Sequence, residues 1–139
     1  MTAEWPLLQT GSQGASVQAL QRLLVHRGAT LDVDAIFGPE TEGAVKAHQT
    51  ASGVASDGRV GNETWPVTIV QVGNGSTGEA VTAAQELLAF TSDGLAADGI
   101  FGPETDKATR AFQEGAGLAV DGIVGPETWH ALIASSPGS

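Results

Sequence analysis

The chain has 139 residues, sixteen acidic and six basic side chains, a formal charge of −10 and no cysteine. That balance argues against nucleic acid and anionic membranes, which need clustered Lys and Arg, and leaves no residue for disulfide or thiolate chemistry. With 41% hydrophobic residues it has the apolar content of a globular fold, no apolar run long enough to span a membrane, and no basic and apolar export signal in its opening MTAEWPLLQTGSQG.

In chain order, the first predicted element is a helix in GASVQALQRLLVHRG. Val17, Leu20, Leu23 and Leu24 recur there at helical spacing, and Gly28 stands where a helix stops. The octamer DAIFGPET follows from Asp34. Its Asp suits a turn as an acceptor of backbone N–H bonds, Ile36 and Phe37 are expected to face inward, and Gly38, Pro39 and Glu40 open a second helix. Thr41, Ala44 and His48 form the expected inward stripe of that helix. A related octamer, DGRVGNET from Asp57, launches a third helix near Gly61 that carries Trp65. Pro66 lacks the N–H a helix needs, so this helix should be short or distorted, with VTIVQVG as an extended connector.

The same plan returns 64 residues later, without a gap: Val17 aligns with Val81, Gln21 with Gln85, Ile36 with Ile100, Trp65 with Trp129 and Ile69 with Ile133. GEAVTAAQELLAF repeats the first helix through Val81, Ala84, Leu87 and Leu88. DGIFGPET from Asp98 and DGIVGPET from Asp121 start the other two, with Thr105, Ala108 and Phe112 on one and Trp129, Leu132 and Ile133 on the other. A long internal repeat implies repeated supersecondary units. The expected fold class is therefore all-α, two tandem three-helix modules at residues 7–69 and 71–134, followed by SSPGS. An octamer written four times reads as turn-and-helix punctuation, because a catalytic pair seldom needs four equivalent placements.

Chemistry is sparse. His26, His48 and His130 fall on different predicted elements, and no HExxH, CxxC, nucleophile elbow, P-loop or calcium-loop pattern is present. No catalytic residue, metal or cofactor is expected. His48 stands out, since an imidazole in a core slot needs a hydrogen-bond partner or an opening to water. Gln21, Gln49, Gln85 and Gln113 end the apolar stripes, where they brace loops or meet a ligand. Trp65 and Trp129 read as core plugs or as sugar-stacking rings. Trp5, ahead of the repeat, either packs across a module boundary or is loose. Arg22, Arg27, Lys46 and Arg59 make the first module the more basic, and solvated faces are expected for them over a site for carboxylates.

The order GSQGASVQALQRLL, DAIFGPETEGAVKAHQ, DGRVGNETW resembles the peptidoglycan-binding domain family, small three-helix modules of bacterial cell-wall hydrolases. The second copy, GSTGEAVTAAQELL, DGIFGPETDKATRAFQ, GLAVDGIVGPETWHAL, resembles it more closely. The first departs from it at Ala35, His48, Arg59 and Asn62, where the second has Gly99, Phe112, Ile123 and Pro126. The resemblance implies a non-catalytic anchor for bacterial peptidoglycan, glycan strand or stem peptide, in a cell-wall or extracellular setting and beside a hydrolase. The expected ligand-binding residues are Gln49, Arg59, Asn62, Trp65, Gln113 and Trp129, near the second and third helices and the turn between them. The acidic charge and the missing export signal keep a second reading open: a protein-interaction or assembly module on the same scaffold, as in a phage or secretion-type particle.

Overall fold

The computed structural model, which describes residues 4–136, forms helices where the octamers end. The first set is α1 (Ala15–His26), α2 (Pro39–Ser52) and α3 (Trp65–Thr68), and the second is α4 (Glu79–Leu88), α5 (Pro103–Gly115) and α6 (Pro126–Ala134). Pro39, Pro103 and Pro126 are the first residues of their helices, where a missing N–H costs nothing, and Glu40, Glu104 and Glu127 follow at the positive end of the dipole. Extended pairing among the described residues is limited to isolated antiparallel bridges. Leu8–Val60 and Gln13–Ile36 in the first half recur as Val72–Val124 and Thr77–Ile100 in the second.

Pro66 leaves α3 with four residues against nine in α6. The truncated end is capped from another helix: the Arg27 guanidinium donates to Thr68 O (2.8 Å) and Ile69 O (3.0 Å), in the manner of a basic side chain at a helix C-terminus. Ile69 is already extended, with φ −67° and ψ 154°, and begins the connector.

One continuous apolar core runs through both halves. Val17, Leu20, Leu23, Phe37, Val60 and Trp65 are buried in the first, and Val81, Leu88, Phe101, Val124, Trp129 and Ile133 in the second; each large side chain so buried is worth about 1.5–3 kcal/mol. The halves meet most extensively along α1 and α4, where buried Ala19, Ala80, Ala83 and Ala84 permit close approach. Arg22, expected on a solvated face, instead forks across this contact. Its Nε and Nη2 reach the two carboxylate oxygens of Glu86 at 2.7 and 2.9 Å, and Nη1 reaches Glu79 at 2.9 Å.

Two inward assignments also change. Ile36, Ile100 and Ile123 are exposed, while Phe37, Phe101 and Val124 beside them are buried, because the extended turn sends successive side chains to opposite faces. In α2 the fully buried row is Thr41, Val45 and Gln49; Ala44 and His48 flank it, half-buried.

Ala35 has φ 65°, the left-handed conformation that Gly99 adopts at 76° in the second half. For a residue with a Cβ this costs about 1–2 kcal/mol. Ala35→Gly should therefore raise the unfolding free energy by about 1 kcal/mol in urea titration. Gly99→Ala should lower it, since its Cβ would also stand 3.1 Å from Thr82 Oγ1 and 3.4 Å from Gly78 O. An unchanged or reduced stability in Ala35→Gly would show that the turn carries no strain there.

Candidate functional site

Four glutamines lock the four turns. Gln113 Nε2 donates to Asp121 Oδ1 (2.9 Å), Ile123 O (2.9 Å) and Thr128 Oγ1 (3.1 Å), sharing two hydrogens among three oxygens, while its Oε1 accepts from the N–H of Asp121 and Gly122. Gln49 does the same with Asp57, Arg59 O and Thr64, and accepts from Gly58 N. Gln21 and Gln85 repeat the pattern at the first turn of each half.

Each turn aspartate also accepts the N–H two residues on, at 2.9–3.0 Å. These bonds favour the charged form and hold all four carboxyls below their usual range. For Asp34 the Gln21 amide is the largest cause, and for Asp57, Asp98 and Asp121 it is the N–H of Arg59, Ile100 and Ile123. The aspartates are thus occupied separately, one in each turn. Among the described residues no group of three or more His, Cys, Asp or Glu is placed to hold a metal ion.

The expected ligand residues fall into two layers on the second turn of each half. Gln49, Gln113, Trp65 and Trp129 are at most 1% exposed, and the indole N–H groups of the tryptophans donate to Pro6 O (2.7 Å) and Val70 O (2.6 Å). These four side chains fill the core and close the turns. Arg59 and Asn62 are exposed above. Arg59 Nε lies 3.8 Å from Asp57 Oδ2, and Asn62 Oδ1 accepts the Trp5 N–H at 2.7 Å. Trp5 is held across the module boundary, stacked on Trp65 (5.8 Å between centroids) and edge-on to His130 (4.8 Å).

Sequence reasoning passed over the surface of the second turn in the C-terminal half. A polar cleft of about 320 Å³ there is lined by Asn74, Pro103, Asp106, Arg110, Asp121 and Ile123. The only signal in the sequence is an acid and a base four residues apart, Asp106 and Arg110, recurring as Glu42 and Lys46. A second concavity, about 500 Å³ and largely apolar, lies between α4, α5 and α6 and is lined by Leu87, Phe90, Ala108, Phe112, Leu132 and Ser135.

In the first half the matching region carries Arg27, Glu40 and His48. His48 Nε2 lies 3.0 Å from Thr68 Oγ1. Because that hydroxyl donates its own hydrogen to Thr64 O at 2.7 Å, His48 must donate to it. Burial, then the nearby Arg27 charge, lower the His48 pKa.

A family model described as a putative peptidoglycan binding domain matches residues 13–67 and 77–132. An uncharacterized protein from the bpoA1 3' region of Kitasatospora aureofaciens is 40% identical over 74 residues, covering 52% of this chain and 63% of that protein, which is less than two thirds of its length. Among solved structures, the SleB N-terminal domain is 35% identical with TM-score 0.46, over 48% of this chain and 93% of that one. A Clostridioides difficile peptidoglycan-binding protein in complex with glutamine hydroxamate is 38% identical with TM-score 0.44, over 46% and 40%. A Burkholderia AP3 phage endolysin is 44% identical with TM-score 0.45, over 46% and 25%.

Two outcomes follow from the geometry. Gln113→Ala strands the Asp121 and Gly122 N–H groups and should cost about 3 kcal/mol in urea unfolding; a loss within about 0.5 kcal/mol, as for ordinary surface changes, would show that the turn holds itself. With its pKa lowered, His48 takes up a proton at lower pH in the fold than in the unfolded chain, which does so at about pH 6.5. Its contribution is therefore complete above that pH and is lost as pH falls toward the depressed folded value. His48→Phe should flatten the decline in melting temperature between neutral and mildly acid pH, and parallel curves for variant and parent would refute this role.

Proposed function

We propose that this chain, which belongs to the peptidoglycan-binding domain family, holds bacterial peptidoglycan without cutting it, through the outer faces of the second turns of its two modules, residues 7–69 and 71–134. Arg59 and Asn62 form the contact surface in the first module, and Ile123 with the Arg110 cleft in the second. Gln49, Trp65, Gln113 and Trp129 keep those surfaces in place from beneath.

The two-layer turn is the observation that carries this reading. A polymer ligand needs rigid, shallow, solvent-facing groups, and here each exposed ridge stands on a glutamine lock and a buried indole. The turn carboxylates are each committed to their own backbone N–H, so they do not form the paired acid and base of a glycosidase. Two weak sites joined on one body reinforce each other on a repeating polymer. The working place of such a module is the cell wall, with a wall hydrolase as a natural associate.

A chain of net charge −10 gains nothing from electrostatic attraction to an anionic wall. Binding then rests on hydrogen bonds and apolar contact, and should survive salt. Sedimentation with purified insoluble peptidoglycan should retain the protein at low and at high salt; no retention at either would reject the reading. One observation favours the alternative of a protein-interaction or assembly module: the apolar concavity with Phe90, 54% exposed, at its rim. Recovery of a defined protein complex from the native cell, with no wall binding, would decide for it.

A further inference from the structure

Over the second turn of each half lies an acid–base pair. Arg110 Nε is 3.1 Å from Asp106 Oδ2, and its Nη2 donates to Asp121 O at 3.4 Å. The pair lies directly on the turn glycine: a Cβ at Gly122 would stand 2.5 Å from Asp106 Oδ1 and 2.9 Å from Arg110 Nη2. Gly58 stands in the same relation to Glu42 and Lys46, with Cβ distances of 3.0 and 3.1 Å to their side chains. The missing side chain lets the two charges fold down side by side and wall the cleft. An ordinary surface pair four residues apart needs no such glycine.

From this arrangement we infer that the C-terminal cleft is a subsite for a free amino-acid end, one that offers an ammonium and a carboxylate together. The inference rests on the wall-binding reading and narrows its ligand. A lone anion entering the cleft meets Asp106, and a lone cation meets the Arg110 guanidinium. A group with both charges lines up against the pair, ammonium to Asp106 and carboxylate to the Arg110 hydrogens that make no bond among the described residues. Pro103 and Ile123 supply apolar walls for a methylene stem, and Asn74 lines the cleft beside them. In the first half Arg59 replaces Ile123 and Lys46 replaces Arg110, so the planar fork and the apolar wall are lost together.

In peptidoglycan such an end belongs to diaminopimelate in the stem peptide, since a lysine there ends in an ammonium alone. Cross-linking consumes its ammonium and amidation removes its carboxylate. The second half therefore distinguishes unmodified, uncross-linked stems from processed ones. Since both side chains are partly solvated, with 48% and 31% exposure, the contrast is modest, about fivefold in affinity.

The test titrates the full chain with the tripeptide L-Ala-γ-D-Glu-meso-diaminopimelate and with the same peptide amidated at the diaminopimelate ε-carboxylate, the one on the carbon that bears the free ammonium, following backbone amide and arginine Nε–H signals by NMR. The free peptide should shift Gly122, Ile123 and Arg110 and bind about fivefold more tightly than the amide. Arg110→Gln should abolish that preference, and the shape-preserving Asp106→Asn should weaken binding of both peptides alike while keeping it, neither changing the circular dichroism spectrum; loss of the preference in Asp106→Asn alone would overturn the assignment of the two charges. Lys107→Gln on the same helix should leave the preference intact. Equal affinity for the two peptides, shifts confined to other surfaces, or no peptide binding by a protein that still sediments with the wall would overturn the subsite and leave the broader reading standing. Failure of sedimentation as well would remove both.

Discussion

A turn that must reverse direction within a few residues exposes N–H and C=O groups it cannot pair by itself, and here a buried glutamine pairs them. Each amide sits in or at the end of a helix, accepts from the turn backbone, and donates to the turn carbonyl, the turn aspartate and a threonine at or beside the next helix. One side chain thereby ties together the helix before, the turn and the helix after. Buried polar groups are costly unless satisfied, so the lock discriminates sharply against other turn geometries. A module of roughly 60 residues has little apolar surplus to fix its loops, and the recurrence of the same lock four times is consistent with that need.

The join between the halves uses divergence where the rest of the chain uses repetition. Arg22 and Glu86 occupy equivalent positions of the repeat and face each other across α1 and α4. Equivalent residues that meet are the mark of a two-fold-like contact. Two copies of the first half would bring Arg against Arg there, and two copies of the second Glu against Glu. With one of each, a bidentate ion pair forms at the meeting point. Trp5 adds a second tie between the halves, against Trp65 of the first and His130 of the second. The two second turns are thus carried at a fixed relation to each other, which in the proposed reading sets their spacing on a polymer.

Much of this was legible in the sequence because it is periodic. The 64-residue repeat, the Gly-Pro-Glu helix starts, the leucine rows and the shortening effect of Pro66 all follow from local rules. The glutamines were legible as a shared polar task, bracing loops or meeting a ligand, since one residue type recurs at the end of each apolar row; the bonds they make within the turns show the bracing. Ile36, Ile100 and Ile123 were misplaced because the octamer reads apolar at two adjacent positions, and only the extended backbone shows which one turns outward. Trp65 and Trp129 carried two meanings until the carbonyls of Pro6 and Val70 were seen to take their indole N–H groups. Arg22 was not legible at all, because its partners lie on the other half. Asp106 and Arg110 looked like any helix-surface pair, and the turn glycine beneath them gives them their distinctive geometry.

The two halves have also diverged around one proline. In the second half Thr91, Phe112 and Leu132 surround an open apolar concavity; in the first their counterparts are Arg27, His48 and Thr68. These three side chains are joined in one polar cluster, Arg27 to Thr68 O, His48 to the Thr68 hydroxyl, and that hydroxyl to Thr64 O. The end of α3 at Thr68 is what they share. With α3 cut to one turn, its carbonyls need donors from elsewhere, and each of the three substitutions supplies one or passes one on. The first half therefore uses this region to hold its own connector, while the second, whose α6 is complete, keeps the equivalent surface free. Duplication gave the molecule two copies of one scaffold; the early end of α3 ties one copy to its connector, and the other keeps its apolar surface uncovered.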